Sequence, residues 1–532
     1  MMQRATGKES GFNPPPGTMA RFKRANRLRK YASSIIFMAI AGCAATGIDA
    51  PSPGGEESGA GGGPSLRLVP SVFVDEDAYS ACSAQRQDPN GSAQTGYTCL
   101  EILFATDRAL AERGVKAMNG VAGKPEDPRL FFKDARFSSA DFIGDPGYFR
   151  PSSDADRSAL DYESYRAGRI FVTVPKREPG DQLKAYDYKT NVSTGTSRTP
   201  TDADRQDYFT VWNYELLQQD DFWSRAGELL ELAGQSGNPD WMSDSRAALV
   251  FIHGYNTSVA GAAYRMSQIV YDLRFAGAPF MFSWPANSDH DPLQYFNDSS
   301  AAAGAVGDLK LFLLDIEEKL HPSKFVIIAH SHGNQLLLRT LNEIAAEHPG
   351  RNNLFDAIIF ASPDVDAFEF KRIVERTKHL APSKTLYTSS DDKANLFRTI
   401  LNGVRKNILN NVTVMPRAGY VKKGGTPLIA DGLESIDLTG ARTGRLGPEQ
   451  EVKRGQLFKL FDGAQKLIMH DQYANAADII YDIRAMIDSI EPVKRPDCRT
   501  AELNSISVTT IGAPDVFWRY KRGDNKIPAD CP

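Results

Sequence analysis

Phe325-Val-Ile-Ile-Ala-His-Ser-His-Gly-Asn-Gln-Leu-Leu-Leu-Arg-Thr-Leu341 changes character at a single serine. The run Phe325 to Ala329 is apolar throughout, as a strand buried on both faces must be. From Asn334 onward the residues favour a helix. Ser331 therefore stands on a sharp strand-to-helix turn, which tolerates only small residues two positions to either side, because bulk there meets the neighbouring strand and helix. Ala329 and Gly333 supply them. The helix that begins beyond the serine points its free N-terminal amides and positive dipole end at any oxyanion forming on the serine's target.

Outward from this turn, short apolar stretches alternate with helical ones. Leu249 to His253, Phe280 to Trp284, Phe325 to Ala329, Ala357 to Phe360 and Thr385 to Thr388 read as buried strands. Strand and helix alternating in this way predict an α/β fold: a mostly parallel central sheet flanked by helices on both faces. Glu101 to Ala105 and Arg169 to Val174 are leading strands, and Asn213 to Ala233 is one helix bridging to the core. Ile436 to Leu438 supplies a last strand and Ala474 to Ile490 a closing helix. Pro179 to Asp207 reads as a polar excursion, and the chain after Pro492 as a polar, cysteine-bearing tail.

A serine presented on such a turn works by acyl transfer when a histidine and a carboxylate follow it in chain order, with the acid before the histidine. Of the eight histidines, seven precede Ser331, flank it or stand before the next strands, which leaves His470 as the base. The acid is Asp391 or Asp392 just past a late strand, with Asp364 and Asp366 after the preceding strand as alternatives. Alternation aims only one of the adjacent pair at the site. For the oxyanion, Gly254 in His253-Gly-Tyr-Asn256 frees the loop after an upstream strand, so the expected donors are the backbone amides of Tyr255 and His332. No metal is expected, since His330 and His332 sit at a tight turn with no matching ligand set in sequence. No cofactor is expected either.

Sixty-two basic and 66 acidic residues give a net charge of −4, without the positive excess that nucleic-acid binding requires. At 532 residues with 41% hydrophobic content the chain is long enough for a large core. Basic residues from Arg21 to Lys30 precede an apolar run from Ala32 to Ala41, about ten residues against the roughly 20 that span a bilayer. This is a processed signal, and Ile40-Ala-Gly-Cys43 resembles a bacterial lipobox. The expectation is an envelope protein lipid-anchored through Cys43, on the periplasmic face of the outer membrane because Ala44 rather than Asp follows. In an oxidising compartment the four remaining cysteines are expected to pair; three pairings are open, and the nearest-neighbour one joins Cys82 with Cys99 and Cys498 with Cys531. The organisation is a signal over 1–43, a Gly/Pro-rich tether over 44–70, a catalytic domain over 71–490 and a tail over 491–532. Ala286 to Gly304 and Asn402 to Asp431 are candidate walls or covers for the site.

Several strings together carry a resemblance: Phe104-Ala-Thr-Asp-Arg108, Val250-Phe-Ile-His-Gly-Tyr-Asn256, Phe282-Ser-Trp-Pro285, Ile328-Ala-His-Ser-His-Gly-Asn334, Ala361-Ser-Pro-Asp-Val-Asp366, Tyr387 to Ala394, Ser435-Ile-Asp-Leu438 and His470. The chain resembles the bacterial α/β-hydrolase family known as domain of unknown function 900, of the esterase/lipase superfamily. The resemblance implies the α/β-hydrolase fold, Ser331 as nucleophile, His470 as base, and Asp392 rather than Asp391 as acid. Its pattern has Met after the serine and Leu where this chain carries His332 and Asn395, so a titratable ring stands beside the site here. The activity implied is cleavage of a small-molecule or lipid carboxylic ester through an acyl-enzyme. The rivals are a catalytically silent envelope binding lipoprotein on the same scaffold, and an amidase or peptidase.

Overall fold

The computed structural model describes residues 96–110, 132–136, 165–176, 184–185, 200–235, 246–255, 257–286, 294–392, 416–441, 472–475, 477–487, 502–510 and 513–521. The signal, the tether, Cys43 and His470 lie outside them. The strands are β1 Tyr97–Thr106, β2 Arg108–Leu110, β3 Phe132–Arg136, β4 Arg166–Pro175, β5 Lys184–Ala185, β6 Tyr208–Leu217, β7 Ala247–Ile252, β8 Ala278–Ser283, β9 Lys324–His330, β10 Ala357–Ala361, β11 Ser383–Thr388, β12 Glu434–Asp437, β13 Glu502–Thr510 and β14 Ala513–Lys521. The helices are α1 Asp202–Asp207, α2 Gln219–Gln235, α3 Val259–Leu273, α4 Gln294–Gly304, α5 Val306–Leu320, α6 Gly333–Glu347, α7 Ala367–Arg376, α8 Gln472–Asn475 and α9 Ala477–Ile487.

One sheet runs β13-β14-β12-β11-β10-β9-β7-β8-β1-β4-β6-β5, and β2 pairs separately with β3. From β1 through β8, β7, β9, β10, β11 and β12 to β14 every neighbouring pair is parallel. The antiparallel pairs β1 with β4, β4 with β6 and β13 with β14 lie toward the two edges. Side chains of a strand alternate between faces, and β7 and β9 divide accordingly. Leu249, Phe251, Val326 and Ile328 join a core under α3 and α9. Val250, Ile252, Ile327 and Ala329 join a second core under α2, α5, α6 and α7. The central strands are fully apolar because both faces are covered, which is why the sequence reads as runs rather than as alternation.

Two expectations need correction at the margins. Asn213 to Ala233 is not one helix. Tyr208 to Leu217 pairs with β4, and the helix starts at Gln219. Phe209, Val211 and Tyr214 bury in the core beside Ile170 and Val172, so tertiary pairing overrides a local apolar spacing that suits either element. Nor does the sheet end at β12. The chain after Pro492 supplies the β13–β14 hairpin, with Ile436 registered against Trp518 and Arg519 bonding the buried Asp437 carboxylate at 2.8 Å. Part of the expected tail is therefore sheet.

The strand order reverses at β7. The chain passes from β7 to β8 on one side and returns to β9 on the other. Loops leaving β7 and β9 then part toward opposite faces and open a crevice at their carboxyl ends, where open parallel sheets place their ligands. Ser331 follows β9 at that point, and His253 to Thr257 follow β7.

Candidate active site

Ser331 has φ 51°, in the left-handed region. A non-glycine residue there costs about 1–2 kcal/mol, so neighbouring bonds must hold the turn. The Ser331 amide donates to Ala361 O at 2.9 Å, and its carbonyl accepts from Asp364 N at 3.1 Å. Asn334, fully buried, aims Nδ2 at Ala329 O, Ser331 O and Ala361 O at 3.0, 3.1 and 3.3 Å. A side-chain amide surrounded by three carbonyls pins the turn to β9 and β10. Asn334 had no role in the sequence reading, and its place three residues past the serine is the only signal of one.

The loop after β7 lies directly against Ser331. A Cβ placed on Gly254 would stand 3.0 Å from Ser331 Cβ, and one on Gly333 would stand 2.3 Å from His253 O. Tyr255, 6% exposed, follows Gly254, and His332 is the N-cap residue of α6. The structure thus brings Ser331, Tyr255 and His332 together at the mouth of the crevice.

The two histidines beside the serine diverge. The His330 ring packs on Tyr473 at 4.9 Å between centroids, on the α8 side. The His332 ring is buried on the opposite side, stacked on Trp284 at 5.7 Å. Its Nε2 lies 3.3 Å from Ser299 Oγ, and its Nδ1 accepts from Gln335 Nε2 at 3.3 Å and stands 3.6 Å from Asp364 Oδ2. Asp364 also pairs with Arg417 at 3.2 Å. The departure from Met at position 332 is thus accommodated by a polar nest between α4, α6 and β10.

The four candidate acids separate by environment. Asp364 pairs with Arg417 beside the His332 ring. Asp366 caps α7, accepting from Phe368 N and Glu369 N, both at 3.0 Å. Asp391 is half-buried and accepts from Gly440 N at 2.8 Å. Asp392 is fully buried just beyond β11. His470 lies outside the described residues. Of the candidate covers, Ala286 and 294–304 are described in the first, and 416–431 in the second. Residues 416–419 run along the segment after β10, with Ala418 N bonded to Val365 O and Gly419 N to Pro363 O at 2.9 Å each.

Residues 240–457 match the family model described as an alpha/beta hydrolase of unknown function, DUF900. That stretch has the α/β-hydrolase fold. The match takes in the Ser331 turn, the His253 to Asn256 loop and all four candidate acids. It leaves outside it the Phe104 to Arg108 string and His470, to which the sequence resemblance had been extended. No curated protein matches the chain.

His253, beside the Ser331 turn, is strongly perturbed. Burial, followed by the Arg108 charge, holds its imidazole far below the usual range, at about 3. Between pH 6.5 and 3 the unfolded chain binds a proton that the folded ring refuses, so this group lowers stability as pH falls through that window. The expected loss reaches on the order of 4–5 kcal/mol at its acid end. Urea denaturation midpoints measured across pH should show it, and His253→Gln should flatten the profile.

Proposed function

We propose that the protein is a serine hydrolase that cleaves carboxylic esters through an acyl-enzyme, anchored by lipid in the bacterial envelope. The observation that carries this reading is Ser331: a serine held at positive φ between a parallel strand and a helix, at the switch point of the sheet, with the Gly254–Tyr255 loop against it. Strain of this kind, sustained by dedicated hydrogen bonds, marks functional turns.

In the proposed cycle His470 takes the Ser331 hydroxyl proton as Oγ attacks the ester carbonyl. The tetrahedral oxyanion accepts hydrogen bonds from the amides of Tyr255 and His332, each worth about 3 kcal/mol of barrier lowering. The alcohol leaves with the proton from His470. Water, deprotonated by the same ring, then attacks the acyl carbonyl and releases the acid. Asp392 orients His470 and stabilises its imidazolium. The substrate is a small-molecule or lipid ester.

The test is fluorophosphonate labelling of the mature protein beside Ser331→Ala and His470→Ala, followed by a panel of esters of increasing acyl length. Labelling confined to chains that retain Ser331, with ester turnover, is expected. Absence of Ser331-dependent labelling, where a control hydrolase reacts, would favour the silent binding lipoprotein. For the envelope, support comes from Cys99, buried on β1 and disulfide-bonded, which suits an oxidising compartment. Its bonding partner is outside the described residues. Cys43→Ala should abolish lipid incorporation and release the protein from membranes.

A further inference from the structure

Two strings quoted from the sequence, Phe104 to Arg108 and Phe282 to Pro285, and the histidine of a third, His253, have no task in the cycle above. They meet behind the oxyanion loop. Arg108, the first residue of β2 and two past the end of β1, is fully buried. Its Nε donates to Ser283 Oγ at 3.0 Å, its Nη1 to Ala286 O at 3.1 Å and its Nη2 to Thr257 O at 2.6 Å. A guanidinium has donors only, so Ser283 Oγ accepts from it and can turn its own proton to His253 Nε2, 3.3 Å away. At the other side of the ring, His253 Nδ1 is 2.9 Å from Gly254 O. A carbonyl only accepts, so the proton of the neutral ring is on Nδ1, and the whole chain runs in one direction.

The carbonyl at its end matters because Gly254 O and Tyr255 N–H belong to one peptide unit. That unit is planar and trans, so fixing the carbonyl fixes the opposite direction of the amide. Gly254 contributes nothing to resist rotation of this plane. The loop is tied at further points: Trp284 Nε1 donates to His253 O at 2.8 Å, and Thr257 Oγ1 to Tyr255 O at 3.1 Å.

We infer that Arg108 is a positioning residue of the oxyanion hole, which through Ser283 and His253 sets the Gly254–Tyr255 peptide so that the Tyr255 amide faces the oxyanion on the substrate of Ser331. The inference rests on the serine-hydrolase reading above. It also explains why the histidine must stay neutral: a protonated ring would hold a hydrogen on Nε2 as well and could no longer accept from Ser283. The ring's burial and the adjacent guanidinium enforce that state.

The experiment uses Arg108→Lys, Ser283→Ala and His253→Gln in the full chain, with fluorophosphonate labelling, p-nitrophenyl acetate turnover and inhibition by a trifluoromethyl ketone, whose adduct with Ser331 is a tetrahedral oxyanion. Loss of an oxyanion donor typically costs about 100- to 1000-fold in kcat. Misdirecting one should therefore lower kcat by about 10- to 100-fold with KM unchanged, and weaken the trifluoromethyl ketone by the same factor. A merely structural role would lower the melting temperature without that parallel. Ser283→Ala removes a single oxygen, so it carries the test if Arg108→Lys does not fold. Wild-type labelling at Ser331 together with unchanged kcat and ketone affinity in Ser283→Ala and His253→Gln would overturn this inference alone. Absence of wild-type labelling would overturn the hydrolase reading and this inference with it.

Discussion

Gly333→Ala is expected to lower the unfolding free energy by about 3 kcal/mol and to slow labelling of Ser331 at least about 100-fold. The added methyl would stand 2.3 Å from His253 O and 2.9 Å from Ile252 O. Both obstacles are backbone, so no rotamer change relieves them. The start of α6 and the end of β7 must part by something near an ångström. His253 O is held by the Trp284 indole and cannot yield without breaking that bond. The gap that opens is the one across which the Tyr255 and His332 amides meet in the proposed oxyanion hole, so stability and reactivity should fall together. Gly227 is the control. It lies inside α2 with nothing within 4 Å of an added Cβ, and Gly227→Ala should raise stability by about 0.5–1 kcal/mol without touching labelling. Urea denaturation and labelling rates on the two variants check both expectations.

The same geometry shows what could be read in the sequence. Five buried strands, β7 to β11, lie within two residues of their sequence bounds, because covering both faces of a parallel sheet leaves short, mostly apolar runs closed by turn residues. The edges were harder. β6 and the β13–β14 hairpin carry mixed polarity, and their identity depends on partners distant in sequence, as the pairing of β6 with β4 illustrates.

At the site the elbow was legible because its constraint is local: a strand, a serine, a glycine and a helix. The positioning groups were not. Arg108 and Ser283 are 175 residues apart, and nothing in either string indicates that one guanidinium joins the ends of β1, β7 and β8. A charged residue immediately after a buried strand was the available signal.

Asp392→Asn is expected to lower ester turnover by about 10³- to 10⁴-fold with a near-native fold, whereas Asp391→Asn should change it by less than about 3-fold. The two neighbours differ in surroundings. Asp391 turns to the loop beyond β12, where its carboxylate accepts the Gly440 amide and its own amide donates to Ser389 Oγ at 3.0 Å. That bond can be kept by an asparagine oxygen. Asp392 faces inward and is wholly buried. A buried carboxylate is retained only where its charge is answered, and in the proposed triad that answer is the imidazolium of His470. Asparagine preserves the shape, but its amide group can donate to the ring and favour the tautomer that cannot take the serine proton. Turnover of a short p-nitrophenyl ester, with denaturation as the fold control, distinguishes the pair; a large loss in Asp391→Asn instead would exchange their roles. Residues that act as one unit are not additive, so Asp392→Asn combined with His470→Ala should be scarcely slower than His470→Ala alone. A further loss in the double variant would place Asp392 outside the triad.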